Sequence, residues 1–288
     1  MGPLVTIAGG RTPPKATFME YGYSMRWPAL TPAVKWLLIA NTAVFVLNAL
    51  AVGITQDPGL FGRWFGSSAA NLIEGYGLGV VRLLTYQFVH SFGDPLHFLG
   101  NMMILYFFGT MVEGGIGRRR FFALYLVGGI VGALVEAGIW LLADRGGVVI
   151  GASGACFAAM VYAACMAPRA MVIVLVFPVR LGVLVWVLVG LGAYMLYVNA
   201  LFPGDRTAHG CHLGGALWGY LAYRYRLDPS RWLDRVAEAR VTRQATTAVR
   251  DQQVMDELLE KVHRQGIGSL TPAERRFLDR QSRNLRDR

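Results

Sequence analysis

The 288-residue chain has little charge, few cysteines and no internal repeats. Only 16% of its residues are charged, whereas soluble domains carry charged residues at about a quarter of their positions. Its 35 glycines follow no fixed period, which excludes a collagen-like fibre, and the 54% of hydrophobic residues exclude a disordered chain. This composition predicts an integral membrane protein.

The sequence gives no sign of a disulfide framework, a structural metal site or a cleaved signal peptide. Cys156, Cys165 and Cys211 lie in or beside apolar runs and form no Cys-x-x-Cys pair, so no disulfide or zinc chemistry is expected. Residues 1–33 contain Pro13-Pro14 and scattered charges but no compact apolar stretch. We expect them to form a cytoplasmic N-terminal segment.

Apolar segments long enough to cross a bilayer, which takes about 20 residues, occur along residues 34–228. Five segments qualify directly: 34–54, 95–114, 120–143, 149–167 and 208–226. The stretch 170–202 is too long for one span, and Pro178 and Arg180 divide it. We therefore expect an interfacial entry and then a sixth span at 181–202. The predicted fold class is all-α, a polytopic bundle of six transmembrane helices.

The distribution of basic residues predicts the orientation of this bundle. Arginine and lysine cluster before the first span, after the second, after the fourth and after the sixth. The alternate loops contain only Arg63, Arg82, Arg145 and Arg206. Because basic loops stay in the cytoplasm, both termini are expected there. The net charge of +10 is accordingly attributed to these loops and to the lipid bilayer, and no nucleic-acid partner is expected.

Two regions do not fit a plain bundle. Residues 55–94 are interrupted by glycine, proline and charge but contain many aromatics, which favours a loop in the outer membrane interface. Residues 229–288 predict a cytoplasmic helical tail, because residues 254–262 have helical apolar spacing and Thr271-Pro272 followed by Glu274 is typical of a new helix start. We expect a helical hairpin at about 252–285, whose partner is unknown.

Polar residues within predicted spans are energetically costly and are therefore functional candidates. His97 and Asn101, Ser153, and His212 lie in the first turns of the second, fourth and sixth spans respectively. All three spans run inward from the outer face, so these groups are expected to meet just below it. The roles of three further polar residues stay open: His90, Glu136 and His209.

Ser153 and His212 have the chemistry of a nucleophile and its base, because a serine hydroxyl is activated when a histidine accepts its proton. Ser153 lies within Gly151-Ala-Ser-Gly154, and His212 precedes Gly215 and Gly219. Such small residues let two helices approach closely. No acidic residue of the predicted spans lies at the depth of His212, where it could orient the ring. We therefore expect a Ser–His dyad and not a triad.

A second pair of side chains is suited to stabilising negative charge. His97 and Asn101 are four residues apart and share one helical face. Together with the Ser153 backbone N–H, they could donate hydrogen bonds to an oxyanion. A nucleophile, a base and oxyanion donors together indicate acyl transfer.

In these segments the sequence resembles the rhomboid family of intramembrane serine proteases. The matching pieces, in the family's order and on its second, fourth and sixth helices, are His97-Phe-Leu-Gly-Asn101, Gly151-Ala-Ser-Gly154 and Ala208-His-Gly-Cys-His212-Leu-Gly-Gly215. The likeness covers about 78–228. The family's Trp-Arg pair in the first loop is replaced here by Val81-Arg82, and the tail resembles a small C-terminal domain of some bacterial rhomboids.

The resemblance implies Ser153 as nucleophile, His212 as base and His97 and Asn101 as oxyanion donors. It also implies that Phe157 packs on the ring of the base. The expected activity is endopeptidase cleavage of transmembrane segments of membrane proteins near the outer face, through an acyl-enzyme and without a metal or other cofactor. A bacterial inner membrane is the implied location.

Two other functions fit the sequence less well. A catalytically inactive rhomboid-like protein could bind transmembrane clients without cutting them, but the intact Ser153 and His212 argue against it. A transporter is disfavoured because transporter folds often contain internal repeats, which this chain lacks, and because the polar groups cluster at one depth.

Overall fold

The computed structural model describes residues 29–74, 77–174, 176–205 and 207–278. Within them the chain is nearly all-α, as its apolar patterning indicates. The helices are α1 Pro32–Thr55, α2 Leu60–Phe65, α3 Ala69–Glu74, α4 Leu78–Thr85, α5 Pro95–Ile116, α6 Arg118–Leu142, α7 Ser153–Met166, α8 Leu181–Leu201, α9 His209–Arg224, α10 Ser230–Gln265 and α11 272–278. Most of the predicted N-terminal segment, residues 1–28, lies outside the described residues.

Four helices, α1, α5, α6 and α8, are long and apolar enough to cross a membrane. Their outer faces carry large exposed hydrophobic side chains such as Trp36, Ile54 and Val187, which suits contact with lipid. The chain is therefore an integral membrane protein. Helices α7 and α9 have 14 and 16 residues and are shorter than a usual span, so the count of six spans stays a prediction.

Helix α7 forms the centre of the bundle and is packed against α5, α6, α8 and α9. Its residues are mostly small, and those that face its neighbours are almost completely buried. Small side chains let several helices surround one central helix at short distances. Helix α8, by contrast, buries only Leu181, Gly182 and Val185 and lies at the periphery.

Helix α7 begins at Ser153, although the apolar run predicts a span from 149. Val149 pairs with Ser67 in an isolated antiparallel bridge, and Gly151 has a φ of 113°. Neither conformation is helical, and a positive φ is one that glycine adopts readily. The helix therefore begins after this turn, and Ser153 becomes its first residue.

The predicted interfacial entry before the fifth span is a β-hairpin. Strand β1, Met171–Val174, pairs antiparallel with β2, Phe177–Arg180, with Met171 opposite Arg180. The β-branched run of β1 favours an extended conformation, and Pro178 lies on a hairpin in which both strands are edges, where proline is tolerated. The sequence predicts an interfacial entry here without a strand pairing, and the hairpin is the exception to an otherwise nearly all-α chain.

The predicted outer loop at 55–94 contains the short helices α2, α3 and α4 and a 3-10 turn at Tyr86–Phe88. Its last part enters the bundle, because Tyr86, Gln87 and His90 are fully buried. Val81, which replaces the family's tryptophan, is 53% exposed. The Thr85 hydroxyl donates to the Phe65 carbonyl at 2.9 Å and joins the two ends of the loop's helical part. Placement of this loop in the membrane interface stays a prediction.

The N-terminus of α1 is capped by a carboxylate from α5. Glu113 accepts hydrogen bonds from the backbone N–H groups of Ala33 at 2.8 Å and Val34 at 2.9 Å, and from the Thr31 hydroxyl at 2.5 Å. The first N–H groups of a helix have no partner within the helix. The buried Glu113 carboxylate thus accepts hydrogen bonds from N–H groups that have no acceptor within α1, and these bonds fix α1 against α5.

The tail consists of the long helix α10, a turn at Ile267–Ser269 and the short helix α11. Leu258 and Leu270 are buried between these elements. The Thr271 backbone N–H donates to Glu274 at 2.7 Å, and the Glu274 N–H donates to the Thr271 hydroxyl at 3.3 Å, which is a capping box. Lys261 contacts both Glu274 carboxylate oxygens at 2.9 Å. The division of the chain into three domains stays a prediction.

The Glu274 contacts give the tail hairpin a testable pH dependence. Hydrogen bonds from Lys261 and then from Thr271 lower the pKa of Glu274 from 4.5 to about 2. Because the pKa is lowered on folding, the carboxylate stabilises the hairpin above pH 4.5, and this contribution is lost as the pH falls toward 2. In the full chain, carboxyl carbon NMR shifts should titrate near pH 2 in wild type and nearer 4.5 in Lys261→Met. A wild-type midpoint near 4.5 would contradict the assigned contacts.

Candidate active site

Ser153 and His212 meet between the N-terminal turns of α7 and α9. The Ser153 Oγ and His212 Nε2 atoms are 2.8 Å apart, within the range in which a base activates a nucleophile. In the tautomer that carries its proton on Nδ1, His212 Nε2 accepts a hydrogen bond from the Ser153 hydroxyl. Ser153 is 9% exposed. The two predicted residues are thus in hydrogen-bond contact although 59 residues separate them.

Glycines permit this contact by letting the backbones of α7 and α9 approach each other. A Cβ atom added to Gly215 would overlap the carbonyl group of Gly154, and one added to Gly219 would overlap the carbonyl of Ala158. A Cβ on Gly154 would lie 2.7 Å from the Cys211 sulfur. Any side chain at these positions would therefore force the two helices apart.

Phe157 covers one face of the His212 ring. It lies one turn after Ser153 on α7, and the two rings are stacked with centroids 4.7 Å apart and an interplanar angle of 8°. A flat contact of this kind restricts rotation of the imidazole. The ring therefore keeps Nε2 directed at the serine hydroxyl.

His97 and Asn101 lie on the face of α5 that meets the turn before Ser153. Asp94 caps this helix by accepting the His97 N–H at 3.1 Å. A Cβ on Gly151 would lie 3.0 Å from the His97 ring and 3.8 Å from the Asn101 amide nitrogen. Both side chains therefore flank the loop that leads into α7, and their role as oxyanion donors stays a prediction.

His90, whose role the sequence left open, links Asn101 to this loop. Its Nε2 atom is 3.1 Å from the Asn101 amide nitrogen and 3.3 Å from the Ala152 backbone nitrogen. Since both of these groups are donors, Nε2 acts as the acceptor. An amide nitrogen has two protons, so Asn101 can bond to His90 and still offer one proton to a substrate. The sequence signal for His90 was weak because no helical or strand periodicity relates it to Asn101.

Glu136 and Tyr86 hold the start of α9 in place. Glu136 on α6 is buried and accepts the Cys211 backbone N–H at 2.9 Å, next to His212. The Tyr86 hydroxyl donates to the Gly129 carbonyl at 2.6 Å and lies 3.5 Å from the Cys211 sulfur. The Tyr86 carbonyl also accepts the Gly151 N–H at 3.0 Å. The start of α9, which carries His212, and the turn before Ser153 therefore both contact the same tyrosine.

His209 is paired with Asp205. Its Nε2 atom lies 2.7 Å from an Asp205 carboxylate oxygen, and its ring meets the His212 ring edge-on at 6.1 Å. Hydrogen bonds from Thr207 and His209 lower the pKa of Asp205 to about 2. In the described part of the chain, no carboxylate forms a hydrogen bond with His212. Ser153 and His212 therefore have the geometry of a dyad and not of a triad.

The chain is similar to known proteins in two segments. Residues 78–228 match the family model of the Rhomboid domain, and residues 247–284 match a family of unknown function, DUF6576. The matched domain includes Ser153, His212, His97 and Asn101. It covers slightly more than half of the chain.

Similar proteins occur in animals, plants and fungi. The Danio rerio protein named Presenilin-associated rhomboid-like protein A, mitochondrial, is 31% identical over 209 residues, which cover 70% of this chain and 51% of the relative. The Saccharomyces cerevisiae protein named Rhomboid protein 1, mitochondrial, is 34% identical over 181 residues, covering 62% of this chain and 51% of the relative. The matches span about half the length of these relatives. With a Rhomboid domain over residues 78–228, the chain belongs to the rhomboid family.

Proposed function

We propose that the protein is an intramembrane serine endopeptidase that cleaves transmembrane segments of other membrane proteins. The observation that carries the proposal is the 2.8 Å contact between Ser153 Oγ and His212 Nε2, in a chain of the rhomboid family. The inactive, client-binding alternative predicts no such contact, because binding alone places no demand on a serine and a histidine in this geometry.

In the proposed reaction, the Ser153 oxygen attacks a peptide carbonyl while His212 takes the hydroxyl proton. The tetrahedral oxyanion accepts hydrogen bonds from the Ser153 N–H, His97 and Asn101; each such donor is typically worth about 2.7–4 kcal/mol in acyl transfer. His212 then passes its proton to the leaving amine, which gives the acyl-enzyme. A water molecule, deprotonated by His212, hydrolyses the ester and frees Ser153.

The substrate must expose a backbone carbonyl, which in a membrane helix is already hydrogen-bonded within the helix. Glycine or proline near the cleaved bond would loosen that helix and favour the reaction. The pair lies at the first turns of α7 and α9, and we propose that this is the outer side of the membrane. Both termini would then lie in the cytoplasm, and the membrane would be a bacterial inner membrane, as the tail's likeness to some bacterial rhomboids suggests.

The first prediction from this mechanism concerns the two reacting side chains. Wild-type protein in lipid vesicles should cleave a single-span test substrate with helix-breaking residues near its outer end, whereas Ser153→Ala and His212→Ala should not. His209→Ala should still cleave, because His209 pairs with Asp205 and does not contact Ser153. Loss of cleavage in His209→Ala together with activity in His212→Ala would show that the base has been assigned wrongly.

A second prediction concerns the helix contact that supports the pair. Gly215→Ala should reduce the rate of cleavage by about 100-fold, because the added methyl group overlaps the Gly154 carbonyl and displacements near 1 Å can have effects of this size. Gly190→Ala on α8 is the matched control, since a Cβ there meets no atom within 4 Å. Both substitutions also raise helix propensity similarly. Equal rates for the two variants would refute the role given to Gly215.

A further inference from the structure

A cavity of about 440 Å³ lies at the end of the bundle opposite Ser153. It forms where the last turn of α5, the first turns of α6 and the last turns of α7 and α9 come together. Its lining includes Ile116, Leu124 and Tyr162 on the apolar side, and Arg120, Arg224 and Arg226 on the polar side. This volume falls within the usual range of small-molecule sites, about 300–1,000 Å³.

The cavity carries an excess of positive charge. Asp228 is the acidic residue of its lining, against the three arginines. The Asp228 carboxylate is already engaged: one oxygen accepts the Ser230 N–H at 3.1 Å and its hydroxyl at 2.6 Å, and the other lies 2.9 Å from Arg120 Nε. Asp228 also lies 3.7 Å from Arg231 Nε.

The remaining arginines have no competing acid in the described part of the chain. No ion pair is found there for Arg224 or Arg226, whereas Arg120 is paired with Asp228 through its Nε. Arg226 has a φ of 51°, a left-handed conformation at a helix end where glycine is usual. Because this conformation is not helical, α9 does not continue through Arg226, and the Arg226 side chain lines the cavity.

The apolar side of the cavity distinguishes it from an ordinary basic surface. The Tyr162 and Tyr223 rings pack edge-to-face, with centroids 5.5 Å apart, and Leu124 and Ile116 add apolar surface to the same cavity. A ligand that fits both sides has a negatively charged head and an apolar body.

We propose that this cavity binds a phosphate group, carried by the headgroup of an anionic phospholipid. Guanidinium groups match phosphate oxygens in charge and in forked geometry, and basic pockets between transmembrane helices bind anionic headgroups. The apolar wall accommodates the first part of the acyl chains. The site is separate from the proposed protease chemistry and does not depend on it.

The test compares two variants that lose the same charge. Arg224→Gln/Arg226→Gln removes two arginines of the cavity, whereas Arg118→Gln/Arg169→Gln removes two exposed arginines that do not line it. Each full-length protein is reconstituted in phosphatidylcholine nanodiscs with increasing phosphatidylglycerol. Native mass spectrometry counts retained phosphatidylglycerol, and thermal unfolding is followed in parallel. In a third arm, inorganic phosphate is added to phosphatidylcholine nanodiscs.

We expect the apparent affinity for phosphatidylglycerol to fall at least tenfold in the cavity variant relative to the control variant. Stabilisation by inorganic phosphate alone, lost in the cavity variant, would keep the site but identify a soluble phosphate as its ligand. Equal affinities in the two variants would overturn the proposal, because only general surface attraction would remain. Should the cavity variant fail to fold, Arg224→Lys/Arg226→Lys replaces it, because lysine keeps the positive charge but lacks the forked guanidinium group. Unchanged affinity in this variant would also contradict arginine-specific recognition.

Discussion

The close approach of α7 and α9 is the constraint on which the candidate active site depends. Gly215 and Gly219 on α9 lie directly against the carbonyl groups of Gly154 and Ala158 on α7. In a bilayer, helix association relies on packing and polar contacts because lipid tails are as apolar as the side chains. Glycine therefore serves two purposes at once: it supplies the contact surface between the helices, and it brings the Ser153 hydroxyl within 2.8 Å of the His212 ring.

Buried carboxylates fix the helices that surround this contact. Glu113 caps the start of α1, and Glu136 caps the start of α9 beside His212. Unpaired N–H groups are expensive where water is absent, so each acid satisfies donors that the helix itself cannot. Because each acid belongs to a different helix from the one it caps, the same hydrogen bonds also set helix position. Glu113 and Glu136 thus contribute to the site by holding α1 and α9 in position.

Much of this arrangement follows from the sequence, and some of it does not. Helical spacing and the depth of polar residues were enough to bring Ser153, His212, His97 and Asn101 together as candidates. The β-hairpin at Met171–Arg180 was missed because an apolar run before a span is equally consistent with an interfacial segment. The role of His90 depends on a fold that brings the 55–94 loop into contact with α5, and the spacing of residues in the sequence does not predict such a contact.

The central claim is that His212 activates Ser153, and covalent labelling tests it most directly. The intact protein in lipid would be treated with a serine-reactive phosphonate, and the adduct mapped by mass spectrometry. The account predicts an adduct at Ser153 in the wild type and none in His212→Ala, because the serine proton then has no acceptor. An adduct at Ser153 of equal yield in both proteins, or no adduct in the wild type, would contradict the account.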